Sequence, residues 1–345
     1  MTGGGHRSGR DLNEAFYREV IAPLLGDRPH AAALLGWGSD VLGYDTARST
    51  DHGWGPRLQI FVDAAEVGDV RKTVDAGLPE SFGGWPVRYG WDNAAVDHRI
   101  GVSTLSGWLR GELGLDPRDP MDPVDWLLLP QQRLLGVVGG AVYADDEHEV
   151  ARVRELVSWY PHDVWLWLLA GQWRRITQEE AFVGRAAEVG DGLGSRLIAA
   201  RLVTEVMRLT FLLERQYWPY AKWFGTAFSR LAGAAELAPI LDRVVDAGDQ
   251  PARENALAEA YETLARRHNA TAVTAPVDPS TRGYYDRPFR VLMADRFVDA
   301  CLAEVSDPTL RALPLIGSVD QFADSTDVLS APGVVPLLRG VYRPV

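Results

Sequence analysis

The sequence predicts an α+β protein, with a mixed sheet and flanking helices in residues 1–125 and an all-helical domain in residues 126–345. Three observations carry this. Short apolar runs bounded by glycine and proline recur up to residue 102. A Pro/Asp-rich stretch from Asp116 to Pro123 interrupts the pattern, and beyond it apolar residues recur almost wholly at helical spacing. The 12 tryptophans end at Trp223, so the last third of the chain is built differently from the rest.

From Asp11 to Leu25, Leu12, Phe16, Val20 and Leu24 lie at helical spacing, and Pro29 ends that segment. The apolar run Ala31 to Leu35 reads as a buried strand running into the turn Gly36-Trp37-Gly38-Ser39, and a polar segment follows to Gly55. Arg57 to Val62 alternates as a strand should, Val67 to Ala76 is a short helix and Gly77 to Trp85 a loop. Val87 to Tyr89 and Ile100 to Val102 are further strands, and Leu105 to Leu113 is a helix ended by Gly114. Helices then follow at Glu147 to Trp159, Asp163 to Phe182, Ser195 to Gln216, Trp223 to Leu231, Ala235 to Ala247, Arg253 to His268 and Phe289 to Val305.

Composition bounds the function. With 35 basic and 47 acidic residues the net charge is −12, which argues against a DNA or RNA binder. The single cysteine, Cys301, excludes a disulfide scaffold and a Cys-rich zinc site and suits a reducing cytoplasm. The apolar stretches Leu134 to Tyr143 and Val164 to Ala170 fall short of the ~20 residues that span a bilayer, and Met1 to Arg10 lacks the apolar core of a leader. A protein of the cytoplasm with no membrane partner is expected; oligomeric state is not legible.

The informative stretch runs from Gly36 to Arg57. A strand ending in Gly38-Ser39 and followed by a helical turn presents backbone N–H groups and a hydroxyl that can hold phosphate oxygens without lysine. Asp51, about a dozen residues on, precedes the next strand, where a carboxylate can hold Mg²⁺ that also touches those phosphates.

The segment Gly38-Ser39-Asp40-Val-Leu-Gly-Tyr-Asp45, with Asp51-His-Gly-Trp-Gly-Pro-Arg57, resembles the signature of the nucleotidyltransferase (polymerase-beta-like) superfamily. It is more closely similar to a bacterial family of unknown function within it, and the likeness extends to Asp125-Trp126, Gln132-Arg-Leu-Leu, Gln172 to Arg185, Tyr220 to Phe228, His268-Asn269 and Val319 to Asp327. The resemblance implies a nucleotidyltransferase-like first domain and a helical second domain that closes the cleft. It implies Gly38 and Ser39 at the phosphates, with Asp40 and Arg57 beside them, and Asp51 as the first metal-binding carboxylate.

One position departs from that pattern. The family places its second carboxylate where this chain has Gly53. Carboxylates at i and i+2 on one strand face are what seat two metal ions ~3.5–4 Å apart. Asp97, before a neighbouring strand, is the first candidate to replace it; Asp40 and Asp45 are others, whereas Asp63 lies too far along the strand. His52 and His98 are the nearby histidines.

In the helical half, residues 171–230 carry nine basic and six acidic residues, net +3. Arg201, Glu205 and Arg208 share one helix face, either as a salt-bridged surface or as a clamp on triphosphate oxygens. Lys222, between aromatics, can reach a phosphate or make a cation–π contact. By similarity to aminoglycoside-type nucleotidyltransferases, Glu180 is a candidate general base. Asp320, Asp324 and Asp327 require an arginine partner or a ligand. The expected activity is Mg²⁺-dependent transfer of a nucleoside monophosphate from an NTP to a hydroxyl of a small acceptor. The alternative is a catalytically degenerate nucleotide-binding or regulatory module, which Gly53 favours.

Overall fold

The computed structural model describes residues 7–51, 53–91 and 94–343, without the side chains of Asp51, Trp91 and Ala94. The chain divides into two compact units, Met1–Pro120 with Arg133–Ser158, and Met121–Gln132 with Trp159–Val345. The boundary read at 125/126 falls inside the 121–132 segment, which groups with the second unit. Among the described residues no helix is long and apolar enough to cross a membrane.

The first unit opens with α1 (Gly9–Phe16), capped by the Ser8 hydroxyl, which accepts from the Asp11 N–H. One continuous helix to Leu25 was expected; instead a π-helical turn, Tyr17–Ile21, joins α1 to α2 (Ala22–Leu25). Pro23 has no N–H for the Glu19 carbonyl and its ring crowds that oxygen, which loosens the turn before it. There follow β1 (Ala31–Leu34), α3 (Ser39–Leu42), the 3₁₀ turn Ala47–Asp51, β2 (Arg57–Phe61) and α4 (Val67–Gly77). The expected loop 77–85 contains a minimal hairpin, β3 (Ser81–Phe82) and β4 (Trp85–Pro86), turned by Gly83 and Gly84 at φ +57° and +87°. Then come β5 (Arg88–Trp91), β6 (Ala94–Ser103) and α5 (Leu105–Leu113). The chain passes through α6 (Pro123–Leu128) and α7 (Gln131–Val138) into β7 (Ala141–Asp145) and α8 (Glu149–Leu156).

The five-stranded sheet has the order β5-β6-β2-β1-β7. It is mixed: β2 and β6 are parallel, in the register Arg57↔Arg99 to Phe61↔Ser103, and the other pairs are antiparallel. Ala32, Leu58, Ile60, Ile100 and Val102 bury one face against Phe16, Ile21, Leu25, Val70 and Val74. Strand β7 corrects the helical reading of this region. The apolar run from Leu134 is cut by Gly139-Gly140, and Gly140, at φ +71°, passes so close to the Leu34 carbonyl that a Cβ there would lie 1.8 Å from the oxygen.

The second unit is helical around α9 (His162–Glu179), with α10 (Phe182–Glu188), α11 (Gly192–Leu213), α12 (Ala221–Phe228), α13 (Ala234–Asp246) and α14 (Gln250–Ala270). It is not all-helical, because β8 (Arg282–Tyr284) and β9 (Arg287–Val291) form a hairpin. The helix expected over Phe289–Val305 therefore begins as a strand. Phe289 and Val291 are buried and alternate with exposed Pro288 and Arg290, a period of two rather than 3.6. Next come α15 (Asp295–Glu304), α16 (Pro308–Ala312), α17 (Val319–Phe322), α18 (Thr326–Ser330) and the 3₁₀ segment Val335–Tyr342.

Trp165, Trp167, Trp173, Phe211, Tyr261 and Phe297 are the large fully buried side chains of this unit. Trp173 stacks on Phe297 at 4.5 Å and donates its indole N–H to His268 Nδ1 at 3.1 Å. Burial holds the His268 imidazole down at about 4, in the neutral form that can accept that bond. Trp173→Phe removes the donor and leaves a gap, so the second unit loses about 2–4 kcal/mol, read as a lower denaturant midpoint with the slope unchanged.

Candidate functional site

The Gly38-Ser39 turn is built by close backbone approach. Past β1 the Gly36 N–H donates to the Gly136 carbonyl at 2.9 Å, and a Cβ on Gly136 would press to 2.8 Å of the Gly36 oxygen. Gly38 sits at φ +136°, and a Cβ there would meet Asp40 Oδ1 at 2.3 Å and Arg57 Nη2 at 2.6 Å. Position 38 therefore excludes any side chain on conformation and space together. Ser39 begins the single turn of α3, which Gly43 ends at φ +68°. Its hydroxyl is partly buried and makes no hydrogen bond among the described residues. Beside it, the Trp37 ring lies under the Arg133 guanidinium at 5.4 Å.

Asp40 and Arg57, both expected at the nucleotide, are bound to each other. Arg57 Nε donates to Asp40 Oδ2 at 2.8 Å and Nη2 to Oδ1 at 2.7 Å, and Nη2 also reaches the Trp37 carbonyl at 2.6 Å. Burial alone pushes the Asp40 carboxyl up, but the Arg57 charge and hydrogen bonds, with the Val41 N–H, hold it below the usual carboxylate range. The Arg57 backbone N–H donates to Asn13 Oδ1 at 2.6 Å, and Asn13, fully buried, donates to the Gly9 carbonyl. Asp45 accepts from the Gly9 N–H at 2.6 Å, and Arg10 Nε from the same helix donates to the Asp40 carbonyl. The start of α1 thus holds the middle of α3 and the segment that follows it.

The carboxylates of the expected metal site are not gathered. The backbone of Asp51 ends the 3₁₀ turn, and its side chain and all of His52 lie outside the described residues. Gly53, at φ +61°, lies in a bend four residues ahead of β2, so positions 51 and 53 do not share a strand face. Pro56 has no N–H to donate, and Gly55 packs so closely on Tyr89 that a Cβ would lie 2.8 Å from its ring; the strand starts after them. Asp97 lies within β6, exposed, and pairs with Arg88 at 3.1 Å. Its carboxyl is held low, first by the His98 N–H that it accepts and then by nearby charges. His98 is engaged with Asp75 at 2.7 Å. Among the described residues no group of three or more His, Cys, Asp or Glu is placed to hold a metal ion. The described donor set does not fit a two-magnesium centre.

In the second unit the candidates are tied into the fold. The Glu180 carboxylate, buried, accepts the backbone N–H groups of Leu292, Met293 and Ala294 at 2.6, 3.2 and 3.0 Å and the Thr177 hydroxyl at 3.2 Å. Burial raises its pKa, opposed by those bonds. Arg201 pairs with Glu179 at 2.6 Å, and Lys222 lies 5.1 Å over the Trp223 ring. Arg208 supplies the partner that the terminal acidic run required, binding Asp324 at 2.9 Å.

Sequence reasoning missed a buried polar lattice. Glu205 accepts from Gln172 and from Arg175, and Gln321 donates to Gln172 at 2.9 Å and to the Leu168 carbonyl at 3.0 Å. The nearest signal was the set of Gln and Glu residues inside apolar helical runs. Asp320, fully buried, accepts the Gln131 N–H at 3.0 Å. Burial pushes its carboxyl up to about 7 against the pull of that N–H and of Arg208.

Residues 126–224 match a family described as a domain of unknown function (DUF4037). That segment holds Gln131, Gln172, Glu205 and Arg208 of the buried lattice. No curated protein and no solved structure matches the chain.

Two outcomes follow. Asp40→Ala strands the Arg57 guanidinium and costs about 3–5 kcal/mol in chemical denaturation, most of it recovered when Arg57→Met is added. Asp320 ionises near 4 in the unfolded chain but about 7 when folded, so its stabilising contribution is complete below pH 4 and is lost as the pH rises to 7. Asp320→Asn removes that dependence. Its stability relative to the native protein improves from pH 4 to 7, by at most about 1.4 kcal/mol per pH unit, in paired melting curves.

Proposed function

We propose that the first unit binds a nucleoside triphosphate through the Gly38-Ser39 turn, in the manner of the nucleotidyltransferases its sequence resembles. In this reading it acts as a nucleotide-binding or regulatory module rather than as a transferase. One observation carries the second half of that statement: nothing described replaces the carboxylate missing at position 53, since Asp40 is bound to Arg57 and Asp97 to Arg88. The phosphate half rests on Ser39, whose hydroxyl is unspent among the described residues beside a glycine that leaves the backbone bare. Such a module belongs in the reducing cytoplasm, which suits the single buried cysteine.

The transferase reading keeps one point in its favour. The parallel register Arg57↔Arg99 puts Asp97 two residues upstream on the strand beside β2, at the sheet end where the 51–55 segment enters. The Asp97–Arg88 pair is exposed and weak enough to yield to another ligand. Asp51 and Asp97 would then be the carboxylates that Mg²⁺ requires, and a small hydroxylated molecule the acceptor.

Equilibrium binding of each labelled NTP, with and without Mg²⁺, together with pyrophosphate release over a panel of hydroxylated acceptors, separates the readings. The module reading predicts saturable binding, about tenfold weaker in Ser39→Ala, with no pyrophosphate and no change in Asp51→Ala. Pyrophosphate release abolished by Asp51→Ala and Asp97→Ala establishes the transferase instead. Failure of every NTP to bind overturns both.

A further inference from the structure

A cleft opens in the first unit, away from the Gly38-Ser39 turn. It has a volume of about 330 Å³, within the range of small-ligand pockets. Its wall includes Ala31, where β1 begins, whereas the turn follows the end of β1; the strand between them is ~10–13 Å long. The cleft also takes in Phe61 and Val62 at the carboxyl end of β2, the strand parallel to β6, and carboxyl ends of parallel strands are where open α/β sheets seat ligands. Phe61, Val62 and Leu105 give it a buried apolar floor.

The polar groups around that floor decide what it can take. The guanidinium, the imidazole and the two helix caps at the cleft are engaged within the fold. Arg118 binds both oxygens of Asp116, with Nη2 at 2.7 Å, and lies 3.4 Å from Glu149. The start of α5 is capped by Thr104, which accepts the Gly107 N–H, and that of α8 by Asp145, which accepts from Val150 and Ala151. His30 is held between the Tyr17 hydroxyl and the Arg28 carbonyl. Two carboxylates are unpaired: Asp63 and Glu147 are exposed at the cleft and make no side-chain hydrogen bond or ion pair among the described residues. An anion would meet both of those carboxylates. A bare metal ion finds too few ligands, since no described group of three His, Cys, Asp or Glu is close enough to hold one.

We propose that this cleft binds a small organic ammonium ion, its apolar body on the Phe61-Val62-Leu105 floor and its charged nitrogen at Asp63 and Glu147. The site is independent of the nucleotide reading, and Asp63 and Glu147 serve no structural bond whose loss would unfold the unit. Isothermal titration of the full chain with phenethylamine, cyclohexylamine and butylamine tests it, with phenethyl alcohol as the uncharged isostere and phenylacetate as the anion. At least one amine binds saturably, about tenfold more weakly in Asp63→Asn or Glu147→Gln and more weakly at raised salt, while the alcohol and the acid do not bind. The proposal is overturned if no amine binds, if the alcohol or phenylacetate binds as well as its amine, or if both variants bind the amine like the native protein.

Discussion

The first unit turns on the guanidinium of Arg57. One planar fork engages both oxygens of Asp40 and the Trp37 carbonyl, while the same residue's backbone N–H is fixed by Asn13. A lysine could not do this, because a point charge has no fixed directions in which to hold three acceptors. The fork spans from β2 to the turn after β1, so the backbone around Gly38 has one permitted course, and Gly38 must be bare because the fork occupies the space beside it. Ser39 is thereby presented on a rigid support rather than on a loop.

The second unit solves a different problem with the same chemistry. Its irregular segments are held by carboxylates that accept backbone N–H groups: Glu180 gathers three from the stretch before α15, where Met293 adopts φ +56°, and Asp163 gathers those of Ser306 and Asp307. Glu180 thereby offsets the cost of burying a turn that no helix or sheet satisfies, while Asp163 fixes a more exposed one. The acidic excess of the chain is therefore partly internal architecture. Glu180 and Asp320 sit inside, and their low exposure sets them apart from the solvated acids.

How legible this was in the sequence depended on distance along the chain. Elements such as β2, α5 and α11 were legible because their apolar periodicity is local. The π turn hinged on one proline carbonyl clash, and β7 and β9 were hidden because short apolar runs beside a helix look alike until a partner strand is known. At the candidate site, Gly38 and Ser39 were legible from the turn, since local backbone need shows in residue type. The engagement of Asp40 with Arg57, and of Glu180 with residues 112–114 positions later, was not: one carboxylate reads the same whether it faces a ligand, an arginine or a row of amides.

Strand β7 has a consequence for how the protein is made. The first sheet is completed by residues 141–145, which pair with β1 only after the intervening segment 121–132 has been synthesised, and that segment groups with the other unit. On the ribosome, β1 waits with one edge unpaired while more than a hundred further residues are added, its alanine-rich face open to the wrong strand. The two units are interleaved in the order of translation even though each is compact. A nascent chain halted near residue 120 would carry the Arg57 fork but lack Gly136, whose carbonyl holds the Gly36 N–H, so both the turn and the sheet would be unfinished.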